Sequence, residues 1–214
     1  MRLNPMSSRP GRLAAAAAAF LLLALPAAAA AQGPQIGQAA PAFTIPDTHG
    51  RQHSLSQYAG KWVILEWLNY DCPYVVKHYT SGNIPGQQKK WTDKGAVWLA
   101  IVSSAPGTQG YFEPAAMNAR SQKDGSNASA VLLDPAGTVG RAYDARTTPH
   151  MYVIDPQGVL RYMGGIDDRP TSRIEDLATA TQLVDKALEE LFAGRPVSIP
   201  TSRPYGCSVK YAAP

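Results

Sequence analysis

The chain has 214 residues, of which 20 are Lys or Arg and 16 are Asp or Glu, for a formal charge of +4. That length is enough for a domain with its own apolar core, so the only two cysteines, Cys72 and Cys207, are not needed to hold a fold together. The excess positive charge sits almost wholly at the start of the chain, and this excludes a basic surface built for nucleic acid or an acidic membrane.

Residues 1–12 carry Arg2, Arg9 and Arg12 and no acid, residues 13–25 are uninterruptedly apolar, and alanines follow Pro26 as far as Ala31. A basic start, a short apolar middle and a small-residue end predict a secretory signal peptide at 1–31, cut between Ala31 and Gln32. The apolar run is shorter than the roughly 20 residues of a membrane span. It lacks an Arg-Arg pair for a twin-arginine signal and a Cys at the cut for a lipid anchor. The expected product is periplasmic or secreted, without stable membrane insertion. It comprises one domain over 32–214, with 17 basic against 16 acidic residues.

After a loose lead-in at 32–41, residues 42–47 and 52–55 flank Thr48-His49-Gly50 as strand, turn and strand. Residues 61–68, rich in β-branched and aromatic side chains, predict a buried strand. Asp71-Cys72-Pro73 reads as a helix entry, with Pro73 in the first turn where its missing N–H costs nothing. Helix follows to Tyr79 and again from about Pro85 to Lys94. Residues 96–102 predict a second buried strand and 113–121 a short helix. Strands are expected at 130–133, 150–155 and 159–163, the last two joined by the tight turn Asp155-Pro156-Gln157-Gly158. The apolar spacing over 174–192 predicts an amphipathic helix, and a Pro-rich tail runs from about 195. Alternating strands and helices closed by a hairpin and a helix imply an α/β fold, a mixed sheet covered on both faces. Trp62, Trp67 and Trp98 are expected in or beside the core, with Trp91 capping it.

Cys72 stands where a buried strand meets a helix N-terminus. Unpaired helix amides and the helix dipole there stabilise a thiolate and lower its pKa below the ordinary value of about 8.5, while Asp71 opposes this. Glu66, inside the apolar strand six residues earlier, either faces water or is buried with a raised pKa; buried beside the thiol it would carry the proton of disulfide exchange. Pro149 opens a strand that reads as central, a place for a residue without an N–H only if the Thr148–Pro149 bond is cis. His150 follows it, and with His78 or Cys207 it would complete a Cys/His copper site around Cys72, although the spacing fits no dense ligand motif.

The segments 69–78 (NYDCPYVVKH), 103–107 (SSAPG), 131–137 (VLLDPAG), 147–155 (TTPHMYVID) and 203–211 (RPYGCSVKY) together resemble the thioredoxin superfamily, specifically its peroxiredoxin-like, alkyl hydroperoxide reductase/thiol-specific antioxidant (redoxin) group. The resemblance spans nearly all of 32–214 and implies a thioredoxin-like fold with an N-terminal β-hairpin. It implies a thiol-dependent oxidoreductase without organic cofactor or metal, acting on a protein or small-molecule disulfide or peroxide and recharged by an external dithiol. Cys72 matches the attacking cysteine, Glu66 the buried acid, and Pro149 the cis-proline facing the sulfur. Thr148 offers backbone hydrogen bonds to an extended substrate, and Pro73 and Asn69 line the approach. The chain departs from the group at three positions. Val75 replaces the second cysteine of C-x-x-C, and Leu68 and Asn69 stand where peroxidases carry proline and a hydroxyl, so disulfide exchange is favoured over peroxide reduction. Cys207 would then resolve an oxidised Cys72, pin the tail in a permanent bridge, or stay a distant free thiol. A copper-delivery module and an inactive interaction domain remain the rival readings.

Overall fold

The structure, a computed structural model, describes residues 1–2 and 33–213. Apart from Met1 and Arg2, the expected leader and its cut after Ala31 lie outside the described residues.

A hairpin opens the fold, β1 (Thr44–Pro46) against β2 (Gln52–Ser54). Its turn closes on Asp47, whose carboxylate accepts the amides of His49 at 2.8 Å and Arg51 at 2.9 Å. There follow a 3-10 turn, Leu55–Tyr58, then β3 (Val63–Trp67), α1 (Pro73–Thr80), α2 (Asn83–Thr92), β4 (Val97–Val102), α3 (Pro114–Lys123), β5 (Ala130–Leu133) and α4 (Thr138–Ala142). The short β6 (Thr147–Thr148) precedes β7 (His150–Ile154) and β8 (Leu160–Gly164). A 3-10 turn, Ile174–Thr179, leads to α5 (Leu183–Phe192), and β9 (Cys207–Ser208) lies in the tail.

The central sheet has the order β5-β4-β3-β7-β8. Strands β3, β4 and β5 are parallel, while β7 runs antiparallel to both β3 and β8. Successive strand residues point to opposite faces, and both faces are buried. Ile64, Trp98, Ala100 and Val153 pack with Val75, Tyr79, Ile84, Trp91 and Leu188 of α1, α2 and α5. Val63, Leu65, Trp67, Leu99 and Tyr152 pack on the other side with Phe43 and Ile45 of the hairpin and Val139 of α4. Each such side chain contributes about 1.5–3 kcal/mol by leaving water, which explains why the apolar runs become the sheet's middle. Trp67, Trp91 and Trp98 are fully buried; Trp62 packs at the edge, 5.6 Å from the ring of Phe192. This is the expected mixed sheet with helices on both faces and an N-terminal hairpin.

The region 174–192 differs from the single helix its periodicity predicts. Gln182 is extended (φ −76°, ψ 92°) and bridges to Asp167, and its side-chain oxygen accepts Asn83 at 2.9 Å and Gln87 at 3.1 Å. Thr181 N–H donates to the Asp168 carboxylate at 2.9 Å. These tertiary bonds outcompete the local helix, so the first stretch closes as a 3-10 turn and the α-helix begins at Leu183. Helix α4 and the pair β6–β9 have no counterpart in the sequence reading. Among the described residues no helix is long and apolar enough to cross a membrane.

Candidate active site

Cys72 is extended (φ −78°, ψ 122°) and caps α1: its carbonyl accepts the amides of Val75 and Val76, both at 2.9 Å, and Pro73 occupies the first turn, exposed. The loop before it is braced from several sides. Asn69, 2% exposed, takes the Asp71 amide on its side-chain oxygen at 2.9 Å, and its own carbonyl accepts the Cys72 amide at 3.0 Å. Arg120 on α3 donates to the Tyr70 carbonyl at 2.7 Å and to the Asp71 carboxylate at 2.9 Å, and Gln109 donates to the Asp71 carbonyl at 3.0 Å. Arg120 therefore offsets the negative charge that Asp71 places beside the sulfur. Neither Arg120 nor Gln109 is marked by any sequence motif, because each reaches the loop through the fold rather than through spacing.

The sulfur itself is 0% exposed and has two polar partners. Its S–H donates to the Thr148 carbonyl at 3.2 Å, and it accepts the amide of Cys207 at 3.3 Å. The side chain caps no amide of α1. The main-chain N–H aimed at the sulfur comes instead from the tail, 135 positions away in sequence. Thr148–Pro149 is cis, as the sequence suggested. Residues Thr147 and Thr148 pair with Ser208 and Cys207, so the backbone edge beside the cis-proline is already occupied by β9. Cys207 is partly buried and not bridged to Cys72. Burial, then the hydrogen bond and charge of Cys72, push its thiol up to about 12.

Glu66 is 0% exposed and turns toward the helical layer, where it accepts Tyr79 OH at 3.0 Å, Gln88 Nε2 at 3.1 Å and Trp98 Nε1 at 2.7 Å. Burial outweighs those three donors and raises its carboxyl to about 7. No hydrogen bond joins it to Cys72: of the predicted site residues, the structure brings together Cys72, Cys207, Thr148 and Pro149, and leaves Glu66 with its own partners in the layer beneath.

The histidines are committed elsewhere. His150 accepts the Arg146 amide at 3.3 Å and lies 3.0 Å from Tyr152 OH, and burial lowers its pKa to about 4. His78 sits in a buried cluster that the sequence did not reveal. Tyr205 OH donates to Asp167 and lies 3.1 Å from His78 Nε2, while Asn83 Nδ2 donates to His78 Nδ1 at 2.7 Å. These partners assign the ring proton to Nε2, and burial and neighbouring Lys77 hold the ring neutral with a pKa near 3. Lys77, fully buried on the same helix, faces Asp167 at 3.5 Å and donates to the carbonyls of Arg169 and Thr171 at 3.1 Å each. Among the described residues no three His, Cys, Asp or Glu side chains gather as a metal-holding group.

The AhpC/TSA family model matches residues 36–163. Among solved structures, a hypothetical protein from Sinorhizobium meliloti 1021 is similar at 22% identity, with 86% of this chain and 98% of that one covered and a TM-score of 0.70. An uncharacterized conserved protein from Geobacillus kaustophilus is similar at 24% identity, covering 84% and 94%, with a TM-score of 0.72. A putative protein disulfide isomerase from Bacteroides thetaiotaomicron is similar at 21% identity, covering 75% and 94%, with a TM-score of 0.53. At these identities the likeness speaks for a shared thioredoxin-type fold. No curated protein matches the chain.

Proposed function

The chain belongs to the AhpC/TSA family, and from that premise we propose that it is an exported thiol–disulfide oxidoreductase, a leader at 1–31 followed by one domain at 32–214, in which Cys72 attacks and Cys207 resolves. The observation that carries this reading is the seating of the Cys207 backbone amide on the Cys72 sulfur, 3.3 Å away. A chain with two cysteines has no structural requirement to place them side by side at a helix entry next to a cis-proline.

The steps balance without a metal or organic cofactor. Cys72 sulfur attacks one sulfur of a disulfide R–S–S–R′, the Cys72–S–R bond forms, and R′–S departs with the proton that Cys72 loses. Burial, more than the hydrogen bond and charge of Cys72, holds the Cys207 thiol protonated. Conversion of Cys72 to a mixed disulfide removes the two lesser causes, and Cys207 gives up its proton to the departing R–S as it attacks. Its sulfur then displaces R–S, leaving Cys72–S–S–Cys207, and an external dithiol returns both to thiols. Pro149 and Thr148 shape the site, Pro73 lies exposed beside it, and the buried Asn69 holds the loop before Cys72. We assign disulfide exchange rather than peroxide reduction because the loop before Cys72 carries Leu68 and Asn69 in place of the proline and hydroxyl of peroxidases. Glu66 takes no proton in this scheme, since the departing thiolate accepts it.

Turnover of a disulfide and of a peroxide by the wild-type chain, Cys72→Ser and Cys207→Ser tests the proposal. Loss in Cys72→Ser, with a single thiol released per chain in Cys207→Ser, supports it. Equal rates in all three remove it.

A further inference from the structure

The tail does more than deliver Cys207. It is fastened along its length, with Ser202 N–H donating to the Met163 carbonyl at 3.2 Å and Ser202 Oγ accepting the Gly165 amide at 2.9 Å. The Ala105 amide donates to the Lys210 carbonyl at 2.8 Å, and Tyr205 is held by Asp167 and His78 in the buried cluster. Between these anchors β9 pairs with β6, and Gly206 (φ 132°) presses so closely that a Cβ there would run into the Thr148 carbonyl oxygen. Only glycine fits such an approach.

An extended polypeptide presents its cysteine to a site like this by adding a strand to a free sheet edge. Here that edge is taken by the chain itself, and Cys72 beneath it has no exposed surface. A small molecule needs no edge. A hollow of ≈ 550 Å³, lined by Thr147, Asp167, Arg203, Tyr205 and Gly206 among others, opens beside the strand and is within the size range of small-ligand sites; neither sulfur lines it, so a small disulfide reaches Cys72 from it by a local shift of the tail rather than by displacing the whole strand. We propose that residues 202–209 act as a resident strand which restricts the protein to low-molecular-weight disulfides and shuts polypeptide disulfides out. The proposal rests on Cys72 and Cys207 being an exchanging pair, and it names the substrate class of that reaction.

The test follows the first thiol released by the fully reduced chain from two probes, 2-hydroxyethyl disulfide and the disulfides of insulin. Wild type is expected to react at least 100-fold faster with the small probe, compared as second-order rate constants. Gly206→Ala forces β9 off Thr148 and shifts the Cys207 amide with it, while both thiols stay in the sequence. It is expected to lower the ratio of the small-probe rate to the insulin rate at least tenfold. Tyr205→Phe, which cuts the ties to Asp167 and His78 but keeps the ring, moves the ratio in the same direction and serves if Gly206→Ala fails to give a cooperative thermal melt. A wild type that treats both probes alike, or a ratio unmoved in both variants, overturns the resident strand while leaving the exchange reaction standing. No release from either probe, or release undiminished in Cys72→Ser, overturns the exchange reaction itself and the resident strand with it.

Discussion

Cys72 and Cys207 are held by opposite kinds of structure. Cys72 follows, after the loop 68–71, a strand whose neighbours on both sides are core strands, and it starts a helix whose first turn is preset by Pro73. Cys207 sits in a two-residue strand and is only partly buried, kept in place by packing of Tyr205, Cys207 and Val209 on the edges of the core, a glycine contact, one tyrosine hydroxyl and scattered backbone bonds. The first position is determined by burial and the second by fit. In the proposed reaction the pair joins a half held inside the core to a half held at its edge, and the edge is where a resolving cysteine would need to shift.

The largest expected effect separates the two sulfurs chemically. Cys72→Ser should lower disulfide turnover by about 10³-fold or more, in line with loss of an activated nucleophile, whereas Cys207→Ser should retain the first thiol release and stall as a mixed disulfide, seen as a mass adduct on Cys72. Loss of first release in both variants would make the halves interdependent rather than sequential.

The next effect probes how the tail's anchor is embedded. Lys77→Met leaves Asp167 buried opposite Tyr205 and a neutral His78, and removing one partner of a buried ion pair costs about 3–5 kcal/mol. Denaturant unfolding should show this loss as a lower midpoint with an unchanged slope. A change below about 1 kcal/mol would mean that the cluster is more open to water than its geometry indicates.

Glu66 supplies a pH signature of the rigid half. Its folded-state pKa of about 7 lies above the ordinary 4.5, so the folded chain retains a proton that the unfolded chain releases in between. The stabilisation is complete below about pH 4.5 and is lost as pH rises through 7, roughly 3 kcal/mol in all. Glu66→Gln should flatten the slope of unfolding free energy across that window, and a slope identical to wild type would place the titration elsewhere.

The smallest effect belongs to the tail. Tyr205→Phe removes hydrogen bonds worth about 1–2 kcal/mol, lowers global stability by no more than that, and should speed alkylation of Cys72 in the reduced chain by a polymer-linked maleimide several-fold, with little change for iodoacetamide. Alkylation unchanged would mean that the cover over Cys72 does not depend on this anchor.

This contrast also explains what was legible in the sequence. Apolar runs at 61–68 and 96–102 announce the inner strands because burial on both faces demands them, and Cys72-Pro73 announces the helix entry because a proline is tolerated there. Thr148-Pro149 signals its cis bond by sitting where a strand needs a donor. The tail's segment 203–211 contributes to the resemblance, but its placement is silent for the same physical reason turned around: β9 has no period, and its position rests on Tyr205, Gly206 and a cluster of Lys77, His78 and Asp167 drawn from distant segments. Glu66 shows the remaining gap. Its burial and raised pKa follow from an acid in an apolar strand, but its partners, Tyr79, Gln88 and Trp98, come from elements whose relative rotation no spacing encodes.

The most direct measurement is the redox state of the two cysteines across a series of dithiol/disulfide buffers, read by thiol alkylation and mass mapping. The account predicts a single Cys72–Cys207 bridge that forms and reopens reversibly, with a midpoint above about −300 mV, the range of labile and catalytic disulfides. A bridge that persists well below that potential would make the pair a permanent staple. Two thiols that never join would leave Cys72 without its partner.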